Sequence, residues 1–449
     1  MRKTMWFGLA VLALVLAIVA AIVTSPPDGA HDAGGRPWMP WLLLVGFGAI
    51  TLGSFHALSN RHIKAPAAAS PSSAASVHAP AEEAPHPTAS PAPLNILACA
   101  VATVAGRDTA TVLQTLCDAP PLPSPDPELI DDRGLPRLSA RCQDLELDGL
   151  ASALSAVQPQ SPLPRPSVQR ALALQLIALE GLQDTLARKP AADGLDVLWM
   201  VPTHWSERER AQAQAWLAAA LSGLQGASTP APRIHLVGAS EPATTLQRLL
   251  VHASTSRCND VPTGFVLALA CDSRVDAEAG VDASRGAPPL PPGEGAAALA
   301  LRRSTEGAPS MMPTAERQCA RVQIFTPTQP SGDAAAPTGS PSLRELVERA
   351  LEGPEACKRV TWAVSDIGLT GPSARDVLDC LVERLPGLDL SQRLCRMGVA
   401  CGDLGAATSL VALALASQAA SQAPTMMLLS GLRPAVALLT PSGQTLDQG

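Results

Sequence analysis

Ser240 has the setting closest to that of a catalytic nucleophile, because GASEP (238–242) lies between a strand-like apolar run and a helical pattern. Enzymes with a serine on such a strand-to-helix elbow place their catalytic His after both the serine and the acid. The last His of this chain is His252, on the predicted helix directly after Ser240. The residue order therefore argues against a Ser–His–acid triad, and we interpret Ser240 as a polar residue at a helix start.

Three histidines lie beyond residue 93: His204, His235 and His252. None of them pairs with a Cys, Asp or Glu at the spacings typical of zinc sites. Gly-Glu-Gly at 293–295 lacks the Lys-Ser/Thr of a phosphate-binding loop. The sequence therefore predicts neither a metal site nor a cofactor, and we interpret His252 as a cation that stabilises the C-terminus of its helix.

The ten cysteines all lie between Cys99 and Cys401, and none forms a C-x-x-C pair. Several stand in apolar runs, as Cys99, Cys271 and Cys401 do. This setting predicts buried, reduced thiols that pack as small apolar groups. Because ten is an even number, disulfide pairing stays open at this point.

Charge and aromatic content exclude two classes of binding protein. The chain of 449 residues carries 33 Lys and Arg against 40 Asp and Glu, a formal net charge of −7, whereas a general nucleic-acid-binding protein shows a basic surplus. Aromatic residues make up only 3% of the chain and Tyr is absent. Surfaces that stack bases or sugars on aromatic rings are therefore not expected.

Two apolar segments near the N-terminus, residues 5–23 and 41–58, contain no Asp, Glu, Lys or Arg. The first is long enough to span a bilayer, and no clear cleavage site of a signal peptide follows it. The second, with its glycines and His56, is the weaker candidate. Cationic residues precede the first segment and follow the second, which predicts a two-pass anchor in the inner membrane with the soluble domain in the cytoplasm.

The rest of the chain divides by composition. Residues 1–64 form the predicted anchor, and 65–93 form an Ala/Pro/Ser-rich linker that cannot bury a core. From residue 94 onward, strand-like runs alternate with helical patterns in the order strand–helix–strand–helix–strand–strand. One set has predicted strands at 196–202, 233–239, 264–273 and 295–303 and helices at 207–223 and 242–254. The other has predicted strands at 359–367, 395–402, 425–431 and 435–441 and helices at 374–385 and 404–420. This order occurs twice, within 94–303 and within 320–449, and predicts an internally duplicated α/β fold with largely parallel strands.

Several local motifs resemble β-ketoacyl synthases of the thiolase fold. The opening strand ends in a Thr-x-x-Gly turn, Thr103 to Gly106, and LPPGEGAAALALRR (290–303) is similar to the segment that closes the family's first half. CGDLGAAT (401–408) resembles the family's Gly-His-x-x-Gly-Ala-Ala-Gly motif. The resemblance implies a thiolase-like five-layer αβαβα domain made of two similar halves.

The chemistry of that family uses a Cys at a helix N-terminus, where the dipole favours the thiolate, and two His residues that polarise the substrate carbonyl. The resemblance places the Cys at Ala239, or at Ser240 with a slip of one residue. It places the two His at Ile367 and Asp403, and a Lys near Gly398. All four groups are replaced, which predicts a domain without this catalytic set.

We therefore expect a membrane-anchored, non-catalytic ketosynthase-like protein that acts as a binding scaffold or adaptor, in an envelope or secretion system. The alternative is a non-catalytic auxiliary subunit of an acyl-chain synthase, and an active acyltransferase with an unusual nucleophile is a third hypothesis. The protein partner is not identified by the sequence. Thiolase-fold domains usually dimerise through edge strands of the first half, so the resemblance implies a homodimer or a heterodimer.

Overall fold

Strands and helices alternate through the part of the chain that the computed structural model describes. This part comprises residues 93–188, 195–225, 230–239, 241–255, 257–258, 261–262, 265–275, 290–303, 320–327, 341–352, 359–431 and 433–441. Among these residues, no helix combines the length and the apolar character needed to cross a bilayer. The predicted membrane helices at 5–23 and 41–58 lie outside the described residues and stay predictions.

Apolar runs form most of the strands. In chain order they are β1 (Leu94–Thr103), β2 (Ser124–Ile130), β3 (Pro136–Ser139), β4 (Asp196–Pro202), β5 (Arg233–Ala239), β6 (Arg257–Cys258), β7 (Val261–Pro262), β8 (Val266–Ser273), β9 (Glu294–Arg303), β10 (Ala320–Phe325), β11 (Trp362–Ser365), β12 (Leu394–Arg396), β13 (Thr425–Leu429) and β14 (Ala435–Pro441).

Ten of these strands form one mixed sheet in the order β12-β11-β13-β14-β10-β1-β9-β8-β4-β5. In one half, β5, β4 and β8 are parallel, and β9 and β1 continue the sheet in antiparallel pairing. In the other half, β12, β11 and β13 are parallel, and β14 and β10 follow in the same way. The halves meet where Leu94 of β1 pairs with Val322 of β10. The same pairing pattern occurs in both halves. The prediction of largely parallel strands was wrong, because five of the nine neighbouring pairs are antiparallel and only four are parallel.

Eleven α-helices lie within the described residues. They are α1 (Thr109–Asp118), α2 (Leu147–Val157), α3 (Pro166–Glu180), α4 (Gln183–Ala187), α5 (Glu207–Gln225), α6 (Pro242–Thr255), α7 (Leu343–Ala350), α8 (Pro372–Arg384), α9 (Leu390–Arg393), α10 (Met397–Ala400) and α11 (Thr408–Ala420).

The helices lie in three layers. Helices α1, α6 and α11 pack between the two halves of the sheet, and α11 contacts strands of both. Helix α3 covers the outer face of the first half, with α2 and α5 beside it, and α7 and α8 cover the outer face of the second. Three cores result: an inner core between the halves, a first outer core and a second outer core.

Strand alternation separates these cores. Leu198 and Met200 of β4 point into the inner core, whereas Val197 and Trp199 of the same strand point into the first outer core. Because successive side chains of a strand point to opposite faces, a fully apolar run is required wherever both faces are covered. This explains why β4 is buried at all seven positions.

The structure shortens two predicted strands of the second half. The strand predicted at 359–367 is observed only at Trp362–Ser365. The strand predicted at 395–402 ends at Arg396 and is followed by α10. The helix predicted at 404–420 begins with a 3₁₀ turn, Gly405–Ala407, before α11. Gly402 and Gly405 have positive φ angles of 64° and 51°, which interrupt both regular structures.

Candidate functional site

The first elbow lies at the end of β5, where the resemblance places a nucleophile. Ala239 is the last residue of β5 and is 6% exposed, and its methyl group belongs to the inner core. Helix α6 begins three residues later at Pro242. Ser240 lies outside the described residues. A methyl group offers neither an attacking atom nor a proton, so Ala239 cannot form an acyl-enzyme.

The second elbow, at 401–405, is held against the segment that precedes β9. The Asp403 N–H donates to Pro291 O at 2.8 Å, and the Gly293 N–H donates to Asp403 O at 3.1 Å. A Cβ on Gly402 would stand 2.3 Å from Pro291 O, and one on Gly293 would stand 1.9 Å from Cys401 O. These two glycines are therefore required by the close approach of two backbones.

The Asp403 side chain stabilises this elbow. Its Oδ1 accepts from the Gly405 N–H at 2.9 Å, and its Oδ2 forms an ion pair with Arg274 Nη1. Asp403 is not the N-cap of α11, because that helix begins at Thr408 after a 3₁₀ turn and its N-cap Ala407 makes no side-chain bond. The carboxylate at the position where the resemblance places the second His thus bonds within its own turn and to a neighbouring cation.

Asp272 in β8 is a functional candidate that the sequence reasoning missed. It is 2% exposed, and its Oδ2 accepts from the Ala406 N–H at 2.9 Å. Burial raises the pKa of this carboxyl to about 7, and the nearby Asp403 carboxylate adds to the rise, against the opposing effects of the Ala406 N–H and Arg274. An Asp inside the apolar run VLALACDS was the available signal, because a buried carboxyl needs partners.

The other His position, Ile367, lies in the second outer core and is 2% exposed. Its neighbour Asp366 is half-buried, and its Oδ1 accepts from the Ser430 N–H at 2.9 Å. Burial raises the pKa of Asp366 to about 6. The side chain of Ile367 therefore packs against α8 and the neighbouring strands and faces away from the inner core.

Gly398, at the position expected for a Lys, has no room for a side chain. A Cβ there would stand 2.4 Å from Asp366 O and 2.8 Å from Ile367 O. Real Cβ atoms essentially never approach so closely, so any side chain at 398 requires a shift of the backbone. The Gly in α10 therefore serves the contact between α10 and the end of β11.

The two elbows adjoin each other. The Ser409 hydroxyl, at the start of α11, donates to Pro242 O at the start of α6 over 3.4 Å. The structure thus brings the elbow of Ala239 close to the elbow of Asp403, but it turns the side chain of Ile367 away. The ionisable side chains at the second elbow include Asp272, Arg274 and Asp403 together with the buried Cys401 thiol, and Glu241 stands beside the first elbow.

Glu294, in the PGEG segment at 292–295, is the centre of a buried hydrogen-bond network near the second elbow. Glu294 is fully buried, and it accepts from Arg170 Nε at 2.9 Å, from Ser273 Oγ at 2.9 Å and from the Cys142 N–H at 2.5 Å. Arg170 Nη2 also donates to the same carboxylate and to Cys142 O. This network ties α3, β8, β9 and the segment after β3 together.

Seven cysteines are free thiols: Cys99, Cys117, Cys142, Cys271, Cys380, Cys395 and Cys401. Burial raises the pKa of the Cys401 thiol, in the second elbow, to about 12, although a hydrogen bond with Thr103 opposes the rise. Burial raises the pKa of Cys271 as well. Thiols of this kind stay protonated near neutral pH and are poor nucleophiles.

The structure also brings together three side chains that lie far apart in sequence. His235 and His252 both lie within 3.3 Å of the carboxylate of Asp196, at the ends of β4, β5 and α6 away from the elbows. His204 is not part of this group. The interpretation of His252 as a simple helix-terminal cation therefore omitted its main neighbour.

Comparison with known proteins gives similarity to solved structures alone. No family model matches the chain, and no curated protein matches it. The ishigamide ketosynthase/chain length factor is 16% identical and has a TM-score of 0.50, with 78% of this chain and 100% of that chain covered. The PfaC keto synthase–chain length factor is 14% identical with a TM-score of 0.51, over 81% of this chain and 44% of that chain.

A third structure, the ketosynthase from module 6 of the bacillaene synthase from Bacillus subtilis 168, is 12% identical and has a TM-score of 0.50. It matches over 77% of this chain and 72% of its own. At such identities the similarity concerns the fold and not the activity. The chain contains a mixed α/β domain with the fold of ketosynthases and chain length factors.

Proposed function

We propose that this protein is a non-catalytic ketosynthase-like protein that works by binding a second protein. The observation that carries the proposal is the state of the two elbows. Ala239 has no reactive atom, and Gly398 has no space for a side chain. Ile367 faces the second outer core. A single substitution would therefore not restore the catalytic set.

The preserved parts of the elbows support the same proposal. The glycines at 293, 402 and 405 are each required by a close contact. The carboxylates of Asp272 and Asp403 hold the backbone of the second elbow through the N–H groups of Ala406 and Gly405. These contacts maintain the backbone conformation of the domain without supplying a nucleophile. A folded surface of defined shape is sufficient for binding another protein.

Among binding roles, the comparisons favour one like that of a chain length factor. Two of the three structures above are described as ketosynthase/chain length factors. In this proposal the chain pairs with a catalytic ketosynthase as its non-catalytic auxiliary subunit. The broader alternative is a scaffold or adaptor of an envelope or secretion system, with a partner of another fold.

Strand β5 is the surface through which we propose that pairing occurs. It is the last strand of the sheet, so within the described residues no strand covers its outer edge. Arg233 and His235 are exposed on it, and the three residues that follow His235 are half-buried. An open strand edge presents backbone N–H and C=O groups that a strand of another chain can pair with.

The membrane anchor remains part of the proposal. Two spans at 5–23 and 41–58 would place the domain in the cytoplasm, where a reporter fused after Gly449 should be active. A periplasmic reading of that reporter would mean that only one segment spans the membrane. The partner would then lie in the periplasm, and the residues at the two elbows would still lack a nucleophile and an imidazole at the positions that the resemblance gives.

The central experiment tests catalysis and pairing separately. The full-length protein is incubated with a reactive acyl thioester analogue, with an active ketosynthase as the positive control, and the products are mapped by mass spectrometry. We expect no stoichiometric acylation at Ser240 or at any one cysteine. A single stoichiometric adduct on one residue would show that the protein is an acyltransferase.

For pairing, the full-length chain is captured from membranes and its partners are identified by mass spectrometry. Arg233→Glu, on the open edge of β5, should reduce recovery of the partner. Arg133→Glu, in the exposed turn between β2 and β3, is the matched control and should leave recovery unchanged. Equal recovery with both variants would remove β5 from the proposal.

A further inference from the structure

Asp196, His235 and His252 converge at one end of the first half of the sheet. His235 Nε2 lies 3.1 Å from Asp196 Oδ1, and His252 Nε2 lies 3.3 Å from Asp196 Oδ2. The two imidazole rings are 4.8 Å apart, with a tilt of 60° between their planes. One ligand atom from each residue can be chosen so that all three lie within 4.8 Å of one another.

Strand register explains this convergence. Leu198 of β4 is the Cα partner of His235 of β5, and Asp196 lies two residues before Leu198. Residues two apart on a strand point to the same face, so Asp196 and His235 share the face on which α6 packs. His252, in the last turn of α6, reaches down onto that face. The three side chains are thus held by two adjacent strands and a helix.

The spacing of the three side chains fits a metal ion. Zinc binds imidazole nitrogen and carboxylate oxygen at about 2.0–2.1 Å in tetrahedral geometry, which places neighbouring ligand atoms about 3.3 Å apart. His235 Nε2 lies 3.1 Å from Asp196 Oδ1 and His252 Nε2 lies 3.3 Å from Asp196 Oδ2, so each imidazole is near this edge length from a different oxygen of the carboxylate. An ion bound by one of these oxygens therefore requires the other imidazole to turn toward that oxygen. The half-exposed His235 leaves an entry path from solvent, and it can turn to complete the geometry.

A second observation points to a ligand at the same place. The Nε2 atom of His252 is buried, and it lies 3.3 Å from Asp196 Oδ2 without the geometry of a hydrogen bond. Buried polar atoms nearly always have a partner, and one that lacks it calls for an explanation. The nitrogen of an imidazole carries a lone pair that it can share with a cation.

We propose that Asp196, His235 and His252 bind a Zn²⁺ ion, with water at the fourth position. Two imidazoles and one carboxylate are a ligand set that zinc commonly uses. Because Asp196 opens β4 and Ala239 ends β5, the ion lies at the opposite ends of the strands from the elbows. Its role is to tie α6 and the edge strand β5 to β4, and so to fix the open edge of the sheet.

The test uses the untagged full-length chain, stripped with a chelator and then titrated with Zn²⁺. His235→Ala is the main variant, because this half-exposed side chain can be removed without opening the inner core. His204→Ala removes an exposed histidine outside the group and is the matched control. Five further histidines lie before residue 93, so binding by the group is read as the difference between the wild type and His235→Ala.

We expect the wild type and His204→Ala to bind one equivalent of zinc more than His235→Ala does. Loss of a direct ligand should weaken this binding by more than about 100-fold, which is the upper end of the effect of losing an outer-sphere partner. Zinc should raise the melting temperature of the wild type and of His204→Ala but not that of His235→Ala. Co²⁺ used in place of zinc should give the intense visible absorption of a tetrahedral site.

Two results would overturn the proposal. If the wild type and His235→Ala give the same zinc titration and the same melting temperatures with zinc, the group is an Asp–His ion pair and not a metal site. If Co²⁺ gives only the weak absorption of an octahedral ion, the bound ion is not held by these three ligands in tetrahedral geometry. Asp196→Asn and His252→Ala, checked first for folding, should repeat the loss seen with His235→Ala.

Discussion

Replacing Arg170 by Met should be among the most destabilising single changes in the domain. The Glu294 carboxylate that it pairs with is fully buried, and the Arg170 side chain is only 13% exposed. The substitution removes both charge-assisted bonds to Glu294 and the bond to Cys142 O. A buried charge left without its partner typically costs about 3–5 kcal/mol. We expect a loss of this size in the free energy of unfolding.

Urea unfolding followed by circular dichroism measures the effect. With an m value of about 3 kcal/mol per M, the midpoint should fall by about 1 M or more. The double variant Arg170→Met, Glu294→Met should be more stable than Arg170→Met alone, because it leaves no buried charge. Arg344→Met, which breaks an exposed pair with Glu383, is the control and should cost about 0–1 kcal/mol. A loss below 1 kcal/mol for Arg170→Met, or a double variant less stable than the single one, would refute this reasoning.

Three further predictions concern the second elbow. Gly405→Ala should destabilise the protein by more than about 1 kcal/mol, because φ is 51° and the new Cβ would meet Asp272 Oδ2 at 2.0 Å; Gly134→Ala, with φ of 78° and open space around it, should cost less in the same urea assay. Asp403→Ala should cost about 0.5–1.5 kcal/mol, the net value of one hydrogen bond, and Asp403→Asn should cost less because an amide oxygen can still accept from Gly405; a wild-type stability for Asp403→Ala, combined with loss of partner binding, would give this carboxylate a functional role instead. The folded-state pKa of Asp272 is raised to about 7, so the folded protein favours its protonated form, and the stability from that proton is lost as pH rises from about 4 to about 7. Asp272→Asn should remove this part of the pH dependence, up to about 1.4 kcal/mol per pH unit, and parallel unfolding curves for the two proteins across this range would contradict the assignment.

The sequence predicted those parts of the fold that local patterns determine. The run DVLWMVP gave β4 with its observed bounds, because a strand covered on both faces must be apolar throughout. The helix at 242–254 and the strands at 435–441 and 233–239 were predicted within a residue of their observed bounds. The repeated order of these elements then led to the duplicated α/β architecture.

Features that depend on contacts between residues far apart in sequence could not be predicted in the same way. Asp196, His235 and His252 are far apart in sequence, and only the register of β4 and β5 and the packing of α6 bring them together. The side-chain direction of Ile367 depends on how β11 ends, and the turn before α11 depends on two positive φ angles. The periodicity of apolar residues along the chain predicts none of these features.

The central position of α11 constrains how the protein can be made. Cys99 of β1 donates its thiol hydrogen to Ala414 O of α11 over 3.6 Å, across a separation of 315 residues. During synthesis, the inner face of the first half stays uncovered until this helix has been made, because α11 follows every element of the first half in the chain. Such high contact order slows folding and leaves apolar surface exposed in the meantime. The two halves should therefore not fold as independent units, and the nascent chain should depend on chaperones until α11 has been made.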